Sequence, residues 1–218
     1  MEESLGQRFD YGVWWLMFIT FEGGEGSGKS TQIKLLAEHF ELLGKSVVST
    51  REPGGTPDGE AVRALLVTGE AGRWSAEAET LLNYAARDNH LNKIIRPALI
   101  NGQTVLCDRF MDSTRAYQGY AGACTFHLID ELERSIVGAT RPDITFIFDL
   151  DPVVGLERAK TQGKGKEDRF ERMGLAFHQR LREGFIEIAA HNLERCRVIN
   201  AADPIDNVAR TIWHHIHG

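Results

Sequence analysis

Short apolar runs alternate with longer segments of helical periodicity along this chain. The first run, MFITFE (17–22), is aromatic and β-branched and stops at glycines, which predicts a buried strand that enters a turn. In the next segment, STQIKLLAEHFELLG, apolar residues recur at helical spacing, so a helix is predicted from Ser30 to the stop signal at Gly44. Four further apolar runs predict strands: SVVST (46–50), TVLCD (104–108), ITFIFDL (144–150) and CRVINA (196–201).

Helical patterns fill most of the intervals between these strands. They predict helices at about 58–68, at 76–102 with a bend or break near Pro97, at 125–138, from Asp151, at about 170–192 and from Pro204. Strands that alternate with helices and consist of nearly unbroken apolar runs indicate a parallel sheet covered on both faces. The predicted fold class is therefore α/β, a three-layer, doubly wound, five-stranded parallel sheet, whose ligands bind beyond the carboxyl ends of the strands.

The chain is predicted to form a single domain over 17–218. Its 218 residues, 42% hydrophobic and 26% charged, suffice for one substantial core. Residues 1–16 are interpreted as an N-terminal extension outside that core, because the first strand begins at Met17. The apolar stretch YGVWWLMFITF (11–21) is too short to cross a bilayer and lacks the basic flank of a signal peptide, so no membrane is expected as a partner.

Charge and cysteine content narrow the class of protein. The formal net charge of −6 and the absence of a long Lys/Arg run argue against a chain that binds nucleic acid. Cys107, Cys124 and Cys196 are odd in number and far apart in the sequence, which indicates neither a disulfide framework nor a zinc site. A reducing, cytoplasmic location is expected.

The strongest chemical signal is a glycine-rich turn between the first strand and the first helix. GGEGSGKS (23–30) fits the pattern G-x-x-x-x-G-K-[ST] in the context that the pattern requires. Backbone N–H groups of such a turn converge on a β-phosphate, Lys29 reaches the β- and γ-phosphates, and Ser30 offers a hydroxyl to Mg²⁺. The predicted nucleotide-binding residues are the turn and the residue after it: Gly23, Gly24, Glu25, Gly26, Ser27, Gly28, Lys29, Ser30 and Thr31.

Two acids could complete a Mg²⁺ site with Ser30. Asp108 follows TVLC and Asp149 follows ITFIF, so each is predicted at the end of a strand. Asp149 directly precedes a predicted helix start, and a structural role in that turn is the favoured interpretation. Asp108 is followed by Arg109, which would place a cation beside the metal.

Arginines recur near the predicted carboxyl edge of the sheet. Arg51 and Arg109 follow strands, and Arg63 and Arg87 belong to the helices between them. Any one of them could be a solvated surface charge. Two phosphate groups that approach each other repel, however, and guanidinium groups neutralise them with paired hydrogen bonds. The group of arginines therefore predicts a phosphorylated acceptor.

A glycine-broken segment of mixed charge, TQGKGKEDR (161–169), separates two predicted helices. It is interpreted as a lid that closes over the phosphates and excludes water from the transferring group, with a plain surface loop as the alternative. The cations in and beside it are Arg158, Lys160, Lys164, Lys166 and Arg169.

Five stretches together resemble the bacterial thymidylate kinases, nucleoside monophosphate kinases of the P-loop NTPase class. They are FEGGEGSGKST (21–31), TREPGGT (50–56), YAARD (84–88), CDRFMDSTRAYQGY (107–120) and RPDITFIFDLDPVVGLERA (141–159). The resemblance extends from about Met17 to the C-terminus. It implies an enzyme that transfers the γ-phosphate of ATP to dTMP to give dTDP, with Mg²⁺ as cofactor and a homodimer as the assembly.

The resemblance also implies which residues handle the phosphates. Lys29 and Ser30 would bind ATP and its metal, Asp108 would hold Mg²⁺ directly or through water, and Arg109 with Arg51 would bind the phosphate of dTMP. A phosphate monoester is already largely anionic near neutral pH, so no general base is needed.

The glycine-rich turn carries Glu25 and no arginine, and in this the chain resembles the subtype of the family whose further catalytic cation comes from the lid. Arg158, Lys164, Lys166 and Arg169 are the candidates, and Arg169 is assigned. The predicted catalytic residues are therefore Lys29, Asp108, Arg109 and Arg169.

The nucleoside is assigned to five residues on the same basis. Glu25 would face the 3′-hydroxyl, Arg87 would bind thymine O4, and Thr114 and Gln118 would contact the ring edge near N3. Tyr117 would crowd the 2′ position and so disfavour ribonucleotides.

One position departs from the family pattern. Four residues before the base-reading arginine, the family usually has a phenylalanine that stacks on thymine, and here the residue is Asn83. Residues four apart share a helix face, so Asn83 is still expected beside Arg87 at the base. Loss of the ring is expected to weaken stacking on the base.

Two alternatives remain at this point. A kinase of another pyrimidine monophosphate, dUMP or UMP, would share the same motifs. A nucleotide-dependent switch ATPase would share the glycine-rich turn but would not require the arginines or the AYQG segment, and a GTPase would need an NKxD motif, which is absent.

Overall fold

A computed structural model describes residues 17–162 and 168–217. Its described part contains one five-stranded sheet, in which every pairing is parallel and the strand order is β2-β3-β1-β4-β5. The strands are β1 (Phe18–Gly23), β2 (Val47–Arg51), β3 (Thr104–Asp108), β4 (Ile144–Asp149) and β5 (Cys196–Asn200). The predicted α/β class, with a parallel sheet of five strands, is confirmed.

Helices connect the strands and cover both faces of the sheet. They are α1 (Lys29–Leu42), α2 (Pro57–Val67), α3 (Ala76–His90), α4 (Arg96–Ile100), α5 (Met111–Thr114), α6 (Phe126–Leu132), α7 (Pro152–Gln162), α8 (Leu175–Ala190) and α9 (Ile205–His217). Within the described residues, three π-helical segments, Leu91–Ile95, Arg115–Tyr120 and Glu133–Val137, continue α3, α5 and α6.

Local sequence signals explain several helix ends. Thr56 accepts a hydrogen bond from the Gly59 amide and caps α2, and Ser75 caps α3 in the same manner. The disturbance predicted near Pro97 is present, because a π-helical segment, Leu91–Ile95, lies between α3 and α4. Pro97 has no N–H to donate, and it falls within the first turn of α4, where that loss is tolerated.

The core lies on both faces of the sheet because side chains of β1 alternate between them. Ile19 and Phe21 belong to a cluster that includes Phe40 of α1 and Ile212 of α9. Phe18 belongs to the cluster on the opposite face, with Tyr84 of α3. All five side chains of β1 that precede Gly23 are fully buried, so the turn after it starts from a fixed position.

Parallel pairing brings three strand ends to one edge. Arg51 of β2 pairs with Asp108 of β3, which in turn pairs with Phe21 of β1. Gly23, two residues later on β1, pairs with Phe148 of β4. The glycine-rich turn, the Asp108–Arg109 pair and Arg51 therefore leave the sheet together.

The prediction of one helix over 170–192 is corrected at its start. A 3₁₀ turn, Glu171–Met173, comes first, and α8 begins only at Leu175. Gly174 separates them with φ 81° and ψ 157°, which no helix contains.

Some predicted features fall outside the described residues. The extension 1–16 and positions 163–167 of the predicted lid, with Lys164 and Lys166, belong to that group. Among the described helices, none combines the length and the apolar character needed to cross a bilayer.

Candidate active site

The glycine-rich turn between β1 and α1 has a backbone that requires glycine. Gly23, Gly26 and Gly28 have φ of 136°, 66° and 88°, values that other residues adopt at a cost. At Gly26 a Cβ would also lie 2.1 Å from the carbonyl oxygen of Gly155 in α7. The turn is thus packed against the start of α7 and held in one shape.

The N-terminus of α1 follows this turn. In the described part of the chain, no side chain caps that end, since Gly28 occupies the N-cap position. The exposed N–H groups of a helix start attract anions. The ammonium group of Lys29 donates to the carbonyl oxygens of Gly23 (3.2 Å) and Gly24 (2.8 Å), so it lies across the mouth of the turn.

A hydroxyl and a carboxylate meet beside this turn. Ser30 Oγ donates to Asp108 Oδ2 at 2.9 Å, although the two residues are 78 positions apart. The other candidate acid, Asp149, instead accepts two hydrogen bonds from Arg182, at 2.5 and 2.9 Å. Asp108 lines the large cavity described below, whereas Asp149 does not.

Arg109 joins β3 to the glycine-rich turn. Its Nη1 donates to the Gly23 carbonyl at 2.8 Å, its Nη2 donates to Glu25 Oε1 at 2.7 Å, and its guanidinium lies 5.0 Å from the centre of the Tyr117 ring. It is a non-glycine residue with positive φ, 68°, and such strain is often found at functional sites. Burial alone would lower the pKa of Arg109, but Tyr117 and Glu25 outweigh it, so that pKa is raised and the charge persists.

A buried carboxylate, that of Glu22, is linked to Arg109 through Ser113. Glu22 accepts hydrogen bonds from the Phe110 amide (2.8 Å) and from Ser113 Oγ (2.5 Å). Ser113 Oγ in turn accepts one from Arg109 Nη1 at 3.2 Å. Burial and the nearby Asp112 raise the pKa of Glu22 to about 7.

Arg87 of α3 is a buried cation at the other end of the site. Its Nε donates to Glu52 (2.8 Å), and its Nη2 donates to Thr114 Oγ1 (3.0 Å) and to the Phe110 carbonyl (2.9 Å). The third nitrogen, Nη1, is buried and has no hydrogen-bond partner within the described residues. A buried hydrogen-bond donor without a partner lowers the stability of a protein, and almost all such donors do have a partner. Because Arg87 lines the cavity, that partner is expected from a ligand.

Gln118 is held by a carboxylate of α3. Its Nε2 donates to Glu79 Oε2 at 2.9 Å, while the other Glu79 oxygen binds Arg169. The amide orientation of Gln118 is thereby fixed, with its oxygen left for other partners.

These groups surround one cavity of about 310 Å³. At one end it is lined by residues 25–31 and by Asp108 and Arg109, and at the other by Asn83, Arg87, Thr114, Tyr117 and Gln118. Arg51 and Arg63 lie at its rim, where Arg51 also donates to Glu60 at 2.9 Å. The structure thus brings together the predicted residues of both the nucleotide turn and the base contact.

Arg169, assigned from the sequence as a catalytic cation, does not lie where it could contact a phosphate in the cavity. It is fully buried and does not line the cavity. Its guanidinium donates to carbonyl oxygens at the end of α2 and just beyond, Leu66 (2.7 Å), Glu70 (3.1 Å) and Ala71 (3.4 Å), and to Glu79. In this arrangement Arg169 joins the end of the predicted lid to α2 and α3, and its guanidinium is bonded away from the cavity.

Comparison with known proteins agrees with this geometry. The sequence model of the family described as thymidylate kinase matches residues 21–212. The chain belongs to the thymidylate kinase family. It is 53% identical to a thymidylate kinase of Caulobacter vibrioides over 195 residues, covering 89% of this chain and 93% of the relative.

Further members of the family give the same result. A thymidylate kinase of Afipia carboxidovorans is 51% identical over 197 residues, which is 90% of this chain and 86% of the relative. The crystal structure of thymidylate kinase from Ehrlichia chaffeensis superposes with a TM-score of 0.75 at 39% identity, covering 92% of this chain and 98% of that one.

Membership in the thymidylate kinase family confirms the predicted enzyme class. The protein is an ATP-dependent nucleoside monophosphate kinase. Phosphorylation of dTMP is favoured over phosphorylation of dUMP or UMP, and a kinase is favoured over a switch ATPase. The family resemblance inferred from the five sequence stretches is confirmed as well.

Sequence reasoning missed several residues of this thymidylate kinase site. Glu52 and Glu79 orient Arg87 and Gln118, and Phe170 and Glu171 line the cavity. Glu52 had a signal, since it lies inside the REPGG stretch. No sequence signal pointed to Phe170, because its place in the cavity depends on the path of the chain after the predicted lid.

Proposed function

We propose that the cavity binds ATP at the glycine-rich turn and dTMP at the Arg87 end, with the two reacting phosphate groups meeting between Lys29 and Arg109. The observation that carries this proposal is the buried Nη1 of Arg87, which has no hydrogen-bond partner among the described residues and belongs to a residue that lines the same cavity as the phosphate-binding turn.

The donor side consists of residues 23–31. The turn and the uncapped start of α1 present N–H groups to the phosphates, and Lys29 neutralises the charge that develops on them. Thr31 follows on the first turn of α1 and lines the cavity.

Ser30 and Asp108 are suited to hold Mg²⁺. Hydroxyl and carboxylate oxygens are ligands that Mg²⁺ accepts, and it usually takes its remaining ligands from water and substrate phosphates. The 2.9 Å contact between the two side chains supports a common role. When bound, the ion would neutralise charge on the phosphates of ATP.

Arg109 and Arg51 would bind the phosphate of dTMP. Guanidinium groups bind phosphates through paired hydrogen bonds, and the pKa of Arg109 is raised, which keeps it charged. Its bond with Glu25 fixes its direction. No general base is required, because the acceptor is already anionic, so alignment and charge neutralisation account for catalysis.

The nucleoside would occupy the end near α3. Arg87 Nη1 would donate to thymine O4, and Thr114 and Gln118 would contact the edge near N3. Glu25 and Tyr117, joined by a hydrogen bond of 3.3 Å, would face the sugar, and the Tyr117 ring would crowd a 2′-hydroxyl.

Arg158, which precedes the predicted lid, is the described candidate that begins beside the glycine-rich turn, although it does not line the cavity and its Nη1 donates to the Ala201 carbonyl at 3.3 Å. Its Cβ lies 3.1 Å from where a Cβ on Gly26 would be, so it starts next to the turn. The buried contacts of Arg169 favour a supporting role instead. We therefore infer that the catalytic cation of segment 158–167 comes from Arg158 or from the lysines of the lid.

We infer further that the enzyme acts as a cytoplasmic homodimer. On α3, Leu81 is 52% exposed, and an exposed apolar side chain on a long helix suits a contact with a second copy. Sedimentation equilibrium with Leu81→Glu tests this inference, since a dimer through α3 would dissociate.

A coupled assay of ADP release tests the substrate. ATP is supplied with dTMP, dUMP or UMP, and dTMP is expected to give the highest kcat/KM. Arg109→Ala is the control, because it should abolish transfer to every acceptor. Preference for UMP would overturn the proposed acceptor.

A further inference from the structure

Position 83 offers no aromatic ring to the base end of the cavity. Asn83 lines the cavity, and its Nδ2 donates to the Glu79 carbonyl one turn earlier on α3, at 2.9 Å. A small amide tied to its own helix offers little apolar surface to a flat ring. Packing of the base at this end therefore depends on another side chain.

Phe170 brings an aromatic ring to the same cavity from another part of the chain. It is half-buried and lines the cavity together with Asn83 and Gln118, so part of its surface is accessible from within. Its ring meets the Tyr117 ring edge to face, with centroids 5.3 Å apart and an interplanar angle of 84°. Tyr117 thus packs against the ring of Phe170.

The ring of Phe170 is fixed by its neighbours. The guanidinium carbon of Arg169 lies 4.8 Å from the ring centre, which is a cation–π contact. Arg169 is itself bonded to α2 and to Glu79, and the Phe170 carbonyl accepts a hydrogen bond from His178 Nε2 of α8 at 3.0 Å. An aromatic surface held in this way loses little freedom when a ligand packs on it.

The side-chain amide of Gln118 is held by the same carboxylate that holds Arg169. Glu79 binds Arg169 with one oxygen and Gln118 with the other, so the ring of Phe170 and the amide of Gln118 are positioned through one carboxylate. The two groups differ in chemistry, because one offers a flat apolar surface and the other hydrogen bonds. Together they match a nucleobase, which has both a face and an edge.

We propose that Phe170 supplies the aromatic surface on which the base of the acceptor packs, and that Arg169 and Tyr117 position it. Phe170 becomes a specificity-determining residue of the acceptor site, and Arg169 becomes a positioning residue. The proposal rests on dTMP as the acceptor.

The test is Phe170→Leu, with KM measured for dTMP and for ATP. The KM for dTMP is expected to rise about 5- to 100-fold, the loss typical of a base that loses one aromatic partner, while the KM for ATP stays within about twofold. Deoxyribose 5-phosphate, used as a competitor of dTMP, separates base packing from general damage, because it has no base. Its inhibition constant is expected to change by less than about twofold.

Phe126→Leu is a matched control. Phe126 also packs edge to face on a tyrosine, Tyr120 at 4.9 Å, and under an arginine, Arg115 at 5.7 Å, but it does not line the cavity. It should leave the KM for dTMP unchanged. Phe170→Tyr, which keeps the ring, should stay close to the wild type, and Phe170→Met replaces the leucine variant if thermal melting shows that the latter is unfolded.

Two results would overturn the proposal. One is a KM for dTMP that is unchanged in a folded Phe170→Leu or Phe170→Met enzyme; the other is an equal loss of affinity for dTMP and deoxyribose 5-phosphate. A wild-type enzyme that fails to phosphorylate dTMP would instead overturn the proposed function, and this proposal with it.

Discussion

Arg87 and Glu52 form an ion pair from which water is almost excluded. Arg87 Nε lies 2.8 Å from Glu52 Oε2, and the two side chains are 2% and 4% exposed. The other Glu52 oxygen binds His90 Nδ1 at 2.9 Å. Burial alone would lower the pKa of Arg87, but Glu52 raises it, so the guanidinium stays charged where it can meet a base.

Glu52→Gln is expected to weaken dTMP binding and to destabilise the fold. Removing one partner of a buried pair leaves a charge uncompensated, which costs about 3 kcal/mol of unfolding free energy. The KM for dTMP should rise about tenfold as Arg87 loses its orientation. Urea unfolding and steady-state kinetics measure the two effects.

Asp58→Asn is the control for that experiment. Asp58 pairs with Lys93 at 2.7 Å, but the side chains are 66% and 53% exposed, so less than about 1 kcal/mol is expected. An equally small effect of Glu52→Gln on stability and KM would show that Arg87 holds its position without the ion pair.

Asp108→Asn is expected to impair use of the metal. Its contact with Ser30 at the mouth of the cavity supports a shared Mg²⁺ site, so kcat should fall about 100-fold and the Mg²⁺ concentration for half-maximal rate should rise about tenfold. Titration of activity with Mg²⁺ measures both. Asp149→Asn serves as the comparison, since that acid pairs with Arg182. A similar Mg²⁺ requirement in both variants would argue against Asp108 as a ligand.

Local sequence patterns predicted the sheet and the glycine-rich turn well, because both are encoded by neighbouring residues. Apolar runs such as 17–22 form buried strands, because the strands of a parallel sheet are covered on both faces and therefore consist mainly of apolar residues. The position of Arg169 could not be obtained in this way. Its charge and its place in a glycine-broken segment suggested a lid cation, but its partner Glu79 is 90 positions away.

Other parts of the site also depend on contacts between residues that are far apart in the sequence, so they could not be predicted. Phe170 lines the cavity and packs on Tyr117, which is far from it in the sequence. Glu79 looks like an ordinary first-turn acid of α3, and only the fold shows that it is buried between Gln118 and Arg169. Residues that position others are less visible in a sequence than residues that carry a motif.

Arg169→Lys is expected to lower stability more than catalytic rate. A lysine keeps the charge but cannot make the several hydrogen bonds of the guanidinium, so the unfolding free energy should fall by about 3 kcal/mol. The kcat of the folded enzyme should stay within about tenfold of the wild type. Arg158→Lys is the matched variant, for which kcat should fall more than stability. The reverse pattern would restore Arg169 as the catalytic cation.

Glu22 is expected to make stability depend on pH. Its pKa is raised from 4.5 to about 7, so between these values the folded protein holds a proton that the unfolded chain has lost. Stability contributed by this group therefore falls as the pH rises through that window and levels off above it, by roughly 3 kcal/mol in total. Glu22→Gln does not titrate and should lose this slope. Urea unfolding of both proteins from about pH 5 to about pH 8 makes the comparison, and parallel curves would show that Glu22 titrates normally.

Asn83→Phe is expected to lower the KM for dTMP. The substitution restores a ring on the helix face of Arg87, and one base–aromatic contact corresponds to roughly 1 to 3 kcal/mol. The gain should be larger in the Phe170→Leu background, where the base has lost its other aromatic contact, because a second ring adds less to a base that is already packed. Steady-state kinetics of the two single variants and the double variant form a cycle that measures this coupling. Equal gains in both backgrounds would mean that the two rings contact the base independently, and no gain in either would mean that position 83 does not face the base.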